Sequence, residues 1–458
     1  MESKNHSFSR RSFLKGSVAA GAIGAVGGIG AVGGIPLLSS CSSPKQPKGA
    51  GLTLPTLLDQ APDGKTLKAG LIGCGGRGTG AAIDFLNAGP NLEIVALGDV
   101  FQDKMDNCRK ILKEQKNVEV ADENCFIGFD SYEKVLDAGI DVVLLCTPPH
   151  FRPAHLEAAV NAKKHIFMEK PIAVDPTGVR KVLAAVKRSE SLNLNIISGT
   201  IRRSQKDYME TRRRVLNGEI GEITGANIIR NGGALWYRSR RPEWSDMEYM
   251  LRNWVNFCWL SGDHITEQFI HEIDVMNWYL GEYPVKASGW GGRQRRVTGD
   301  QYDFFSIEYL YENGMRTHCA ARQIDGCSNG KVEQINCTEG YADAAGKLYN
   351  WNGEVIWQYP YPAEGDTSSE WNVTNPFVQE HINLVTAIRT GETINDGEDQ
   401  ANSTLVAIMG RMAAYTGKDI TREEVLNSDL YLGPSTYDMG KVDNVPETIP
   451  LAGVQHQE

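Results

Sequence analysis

The densest set of proton-active side chains lies in DHITEQFIHEIDVMNWYLG, residues 263–281. At ~100° per residue in a helix, His264, Glu267, His271, Asp274 and Trp278 fall in one arc, opposite Ile265, Phe269, Ile273, Met276 and Leu280. One face would then pack on a sheet, while the other presents imidazoles and carboxylates suited to general acid–base work. The same spacing also describes a polar face turned to water, the commoner use of such a stripe. A metal is the weaker reading. The order is neither His-Glu-x-x-His nor Glu-x-x-His, one helix face rarely completes a coordination sphere, and no metal is expected.

A second motif, GCGGRG, spans residues 73–78. Gly73, Gly75 and Gly78 form G-x-G-x-x-G between a strand-like run, TLKAGLIG, and a helix-like run, AAIDFLNAG. The first glycine allows the tight turn, the second lets backbone approach a pyrophosphate, and the third lets helix and strand pack closely. Gly76 and Arg77 belong to the same turn, with Arg77 either solvated or in contact with the pyrophosphate. The next strand pattern, NLEIVALGD, ends at Asp99. A carboxylate there would accept from ribose hydroxyls and repel a 2′-phosphate, which favours NAD over NADP.

These motifs need a scaffold, and the chain between them alternates. DVVLLCT (141–147), KHIFMEKP (164–171) and LNIISGT (194–200) read as strands separated by helical stretches at 154–163 and 176–189. Strands alternating with helices predict a parallel, doubly wound sheet, with ligands beyond the strand C-terminal ends. Thr147, Pro148 and His150 follow one strand, and Glu169, Lys170 and Pro171 follow the next, so both groups are expected at the cofactor. An exposed turn lysine before a proline is the lesser alternative for Lys170. Beyond Gly199 the alternation stops. A helical stretch at 205–217 leads to ANIIRNGG, the first strand of a second domain.

GCGGRG, CTPPHFRPAH and EKP, in that order after successive strands, resemble the motifs of the Gfo/Idh/MocA family of NAD(P)-dependent sugar and polyol oxidoreductases. The likeness runs from about Thr66 into the C-terminal region, with EKP its most specific element. It implies an α/β fold: an N-terminal Rossmann domain with a doubly wound parallel sheet, then a C-terminal α+β domain with a large, open, mostly antiparallel sheet. It also implies that Lys170 contacts the substrate hydroxyl and the nicotinamide ribose, that Glu169 and Pro171 set the turn, and that Pro171 can be cis. The family's catalytic segment carries an acid four residues before a histidine and another three after it, which Glu267, His271 and Asp274 match. The usual first acid is Asp, so Glu267 is one methylene longer. His271 is thus expected as the base, Glu267 as the group orienting it, and Asp274 as a substrate contact. The resemblance further implies a homo-oligomer.

An aromatic-rich stretch begins at Trp236 and Tyr237 and runs to Trp259, interleaved with Arg238, Arg240, Arg241 and Arg252. Its rings suit stacking on sugar C–H surfaces, and its arginines suit hydroxyls. Core or oligomer contacts use the same residue types. Arg202 and Arg203, after the last strand of the first half, are further candidates for substrate or cofactor.

Composition limits what else the chain does. Its 458 residues carry a formal net charge of −10, with 41% hydrophobic and 23% charged residues, an ordinary globular balance that gives no attraction for nucleic acid. Gly, at 48 residues, is densest between Gly16 and Gly34. That run follows SRRSFLK and precedes LSSC, a pattern resembling a twin-arginine export signal with a lipoprotein box at Cys41. A membrane-spanning helix would be poorly served by so much glycine. The expected organisation is a signal at 1–40, a tether at 41–65, a dinucleotide-binding domain at 66–199 and a substrate and oligomerisation domain at 200–458. The expected protein is periplasmic, held to the membrane only by a lipid on Cys41. The expected function is hydride transfer between tightly bound NAD(H) and a carbohydrate or glycoside. A redox-assisted glycosidase and a non-catalytic sugar-binding lipoprotein are the alternatives.

Overall fold

Leu67–Ile72 (β1) is buried along almost its whole length, as a strand must be when helices cover both faces of its sheet. The computed structural model describes residues 57–366, 369–443 and 449–453. The expected export signal and Cys41 lie outside these described residues. After β1 come Gly76–Asn87 (α1), Leu92–Asp99 (β2), Gln102–Lys116 (α2), Cys125–Ile127 (β3), Ser131–Asp137 (α3) and Val142–Leu145 (β4). Arg152–Asn161 (α4), His165–Met168 (β5), Pro176–Ser191 (α5) and Ile196–Ser198 (β6) complete the first half. Its six strands are all parallel in the order β3-β2-β1-β4-β5-β6, so the chain reverses direction across the sheet between β1 and β4. That reversal opens a crevice at the strand C-terminal ends.

Lys206–Leu216 (α6) leads into Ile223–Gly232 (β7), then Asp246–Arg252 (α7), Cys258–Ser261 (α8), His264–Glu267 (α9) and Ile270–Leu280 (α10). Seven strands follow: Lys286–Gly292 (β8), Phe304–Leu310 (β9), Arg316–Gln323 (β10), Gly330–Cys337 (β11), Gly340–Asp343 (β12), Lys347–Asn350 (β13) and Val355–Gln358 (β14). Pro376–Thr390 (α11), Gly397–Thr416 (α12) and Ile420–Thr421 (β15) close the list of main elements. The second sheet has nine strands in the order β14-β13-β12-β11-β7-β10-β9-β8-β15, antiparallel throughout except where β10 runs beside β7. The chain then returns to the first sheet. α11 packs on α1, and Asn395 bridges Ile196 beside β6. α12 lies against α5 of the first half and β8 of the second, and its burial on nearly every side accounts for its weak amphipathic pattern.

The expected continuous helix over 263–281 is instead two helices, α9 and α10. At the junction both Gln268 N and Phe269 N donate to the His264 carbonyl, at 3.0 Å each. The five-residue bond locally widens the helix, as a single π-turn does. Beyond it the uniform 100° rotation no longer applies, and His264 and His271 part company. His264 is buried with its ring 5.0 Å from that of Phe305.

Candidate active site and cofactor cavity

A cavity of about 470 Å³ opens at the C-terminal ends of β1, β2 and β4. Gly73 and Gly75 through Gly78 line it, as do Asp99, Thr147 and Pro148. The glycines divide their work. Gly73 has φ +98°, and a Cβ there would meet the Cys146 carbonyl carbon at 2.7 Å. A Cβ on Gly78 would lie 1.8 Å from the Gly73 oxygen, so helix and strand touch only because side chains are absent. Gly75 and Gly76 face open space instead. α1 begins there with no side-chain cap, which leaves its first amides for an anion. This bare cradle over a helix N-terminus fits a dinucleotide pyrophosphate. Asp99 accepts from Cys74 N at 2.7 Å and Phe101 N at 2.9 Å, and burial pushes its carboxyl above the usual range. Phe101 and Lys104 also line the cavity; their only signal in the sequence is their place just after the strand that ends in Asp99.

Arg77 is neither free in solvent nor reserved for a phosphate. Its Nε donates to Glu169 at 2.6 Å and its Nη2 to Asp84 at 3.1 Å, with the guanidinium 4.7 Å above the Phe377 ring. It ties the glycine turn to the EKP turn, whose Lys170–Pro171 bond is cis. Glu169 serves as the buried end of that tie and stands outside the cavity lining.

Lys170 reaches across to the second half. Its Nζ donates to the Glu267 carbonyl at 2.6 Å and to Glu267 Oε1 at 3.1 Å. The helix break at Gln268 therefore has a use: the carbonyl at the end of α9 takes a lysine ammonium. Glu267 Oε2 accepts from Gln268 Nε2 at 2.6 Å. The expected contact between Glu267 and His271 is replaced by this pairing, because the widened turn shifts the i,i+4 register and Lys170 supplies a stronger, charged donor.

His271 lies on the first turn of α10, its Nδ1 enclosed without a hydrogen-bond partner. Burial first, then the nearby Lys170, Arg230, Arg202 and Lys331, hold its imidazole well below its ordinary pKa, so it is neutral near neutral pH. Arg230 and Lys331 were not read from the sequence. They face each other across β7 and β11, a pairing that only the sheet register creates.

Five other candidates are placed by the fold. Asp274 is almost fully buried and accepts from Arg203 Nε and Nη2 at 2.9 Å each, from Ser403 at 2.8 Å and from Gln400 at 3.2 Å, so its oxygens serve the fold rather than a ligand. His150 is turned away from the cavity. Its Nε2 lies 2.6 Å from Tyr437 Oη and its ring 5.0 Å from Trp259, and burial pushes its pKa down to about 4. Trp236 lines the cofactor cavity, whereas Tyr237 is 54% exposed and outside it. Arg202 donates to Gln205 at 2.7 Å and stacks over Tyr208, with its Nε enclosed and unpartnered.

Residues 67–195 match the profile "Oxidoreductase family, NAD-binding Rossmann fold", and residues 208–343 match the "GFO/IDH/MocA C-terminal domain". Residues 7–27 match a twin-arginine translocation signal, so the chain is exported by that route. An inositol 2-dehydrogenase of Salmonella typhimurium is 27% identical over 217 residues, covering 47% of this chain and 55% of that protein. A myo-inositol 2-dehydrogenase of Thermotoga maritima is 26% identical over 216 residues, covering 47% and 55%. The chain thus spans about half the length of these curated relatives. The structure of scyllo-inositol dehydrogenase from Lactobacillus casei with bound NAD(H) and scyllo-inositol superposes with TM-score 0.58 at 20% identity, over 78% of this chain and 99% of that one. An oxidoreductase from Thermotoga maritima gives TM-score 0.60 at 18% identity, over 79% and 100%. The paired domain profiles, the 3-2-1-4-5-6 parallel sheet and the open nine-stranded sheet agree, and the chain belongs to the Gfo/Idh/MocA oxidoreductase family.

Proposed function

We propose that this chain is an exported NAD-dependent dehydrogenase that oxidises a ring hydroxyl of a cyclic polyol or sugar, or reduces the matching ketone. The observation that carries this reading is the convergence of Lys170, Glu267 and His271, from a strand end of the first half and a broken helix of the second. None of the three lines the dinucleotide cavity itself, but Arg77, which does, donates to Glu169 next to Lys170. NAD, when bound, supplies the two-electron acceptor. The turn at 73–78 and Asp99 would hold its pyrophosphate and ribose.

The rest is the work of side chains. Lys170, held in place by Glu267, donates to the carbinol oxygen and stabilises negative charge as it develops. His271 is neutral and so has room for the hydroxyl proton. Its Nδ1 is enclosed, which leaves Nε2 to meet the substrate. Glu267 positions Lys170 rather than the imidazole. Arg202, close enough to His271 to act on its imidazole, is our candidate for a neighbouring substrate hydroxyl. The LSSC box supports lipid attachment at Cys41, and the family resemblance supports a homo-oligomer.

The test is turnover of purified protein with myo-inositol, scyllo-inositol, aldoses and aryl glycosides, following NADH and any released aglycone. Ketone formation with one NADH formed per ketone, counted on the protein as well as in solution, supports the reading. Lys170→Ala and His271→Ala should each lower kcat by roughly a hundredfold or more while bound NAD persists. Near-normal turnover in both variants, or aglycone release without net NADH, would overturn it.

A further inference from the structure

The wall of the cavity opposite Asp99 is built by the second half of the chain. Trp236, Arg238, Leu251, Arg252 and Trp254 face the end of β2, where a dinucleotide of this fold places its adenosine. The stretch 233–245 is without regular structure, and α7 follows it directly.

Arg252 fastens this wall to the first half. Its Nη2 and Nη1 donate to Asp103 at 2.9 and 3.1 Å, and its Nε donates to Glu248 at 2.8 Å. Its guanidinium also stacks 4.0 Å above the Phe101 ring. Phe101 N is the group that donates to Asp99, so the latch and the ribose-reading acid share one residue.

An apolar cluster stands behind the latch. Met247, Leu251, Phe257, Trp259 and Leu260 are buried together, with Phe101, Phe129 and Phe151 of the first half packed against them. The C-terminal tail crosses the same place. Gly440 O accepts from Met247 N at 3.1 Å, and Asp175 accepts from Leu432 N at 3.0 Å. Opening this wall therefore exposes apolar surface as well as breaking an ion pair, and both slow the event.

We propose that residues 236–254 form a clasp over the adenosine half of the dinucleotide site and make NAD a captive cofactor rather than an exchanging one. This rests on the NAD-dependent reading above. It gives the aromatic-rich stretch a role at the cofactor instead of the substrate. It also suits an exported enzyme, because a compartment poor in free dinucleotide rewards slow release.

The test is exchange of bound NAD for isotope-labelled NAD, followed by mass spectrometry on the full purified chain. Wild type is expected to carry NAD and exchange it slowly. Asp103→Asn, at a side chain 57% exposed, breaks the latch without stranding a buried charge and should speed exchange roughly tenfold. Trp236→Ala and Arg252→Ala should speed it at least as much, with near-ultraviolet dichroism checking that the fold is kept. Rapid exchange in wild type, or unchanged exchange in Asp103→Asn and Trp236→Ala, overturns the clasp and leaves the NAD reading intact. A wild-type chain that neither carries NAD nor takes up the label defeats the NAD reading itself.

Discussion

Lys170 Nζ stands 3.1 Å from Glu267 Oε1 although the two residues are 97 positions apart in the chain, and both side chains are nearly enclosed. The pair joins the two sheets at the point where chemistry is proposed. Glu267→Gln keeps a hydrogen-bond acceptor but removes the charge that fixes the ammonium. It should lower kcat roughly tenfold with little change in NAD content, read by steady-state kinetics and by cofactor analysis of the same sample.

Lys170 also acts on His271 through space. Its positive charge is one of the causes, after burial, that hold the imidazole below its ordinary pKa. Lys170→Met removes that charge, so the His271 pKa should rise. Nitrogen-15 titration of the ring in both proteins would show it; an unmoved or lowered value contradicts the electrostatic coupling.

Two glycines of the turn make opposite predictions. Gly78→Ala forces a Cβ to within 1.8 Å of the Gly73 oxygen, so the turn must break and stability should fall by about 3 kcal/mol or more in denaturant titration. Gly75→Ala meets nothing in the protein and should fold normally. Its methyl group would instead enter the pyrophosphate cradle, so the purified variant should contain much less NAD than wild type.

His381 is fully enclosed, its ring 4.2 Å from that of Phe167, with neither nitrogen partnered. Burial pushes its pKa from 6.5 to about 3. Between those values the unfolded chain binds a proton that the folded chain refuses, so this group costs stability as pH falls below 6.5. By pH 5 the loss amounts to about 2 kcal/mol. In His381→Phe the difference in unfolding free energy between pH 8 and pH 5 should shrink by about that amount.

The parallel half was legible because its signals are local. The glycine turn, the acid ending the next strand and the strand–helix alternation are each read within a few residues, and Gly73, Gly75 and Asp99 meet in the cavity as the motif implies. The EKP turn was also visible. Its tie to Arg77 was not, because nothing in either segment names the other. Helical periodicity failed at Gln268, where one widened turn reassigned Glu267 from His271 to Lys170.

Residue types and spacing thus marked out the dinucleotide turn and the export signal, and the resemblance of the motifs to the Gfo/Idh/MocA family singled out Lys170 and His271 as the groups to test. Only tertiary structure decided their partners. Asp274 went to Arg203, His150 went to Tyr437, and Trp236 went to the cofactor cavity, each through contacts between segments far apart in the chain. A side chain's type states what bonds it can make. Which of those bonds it makes depends on what the fold brings within about 3 Å of it.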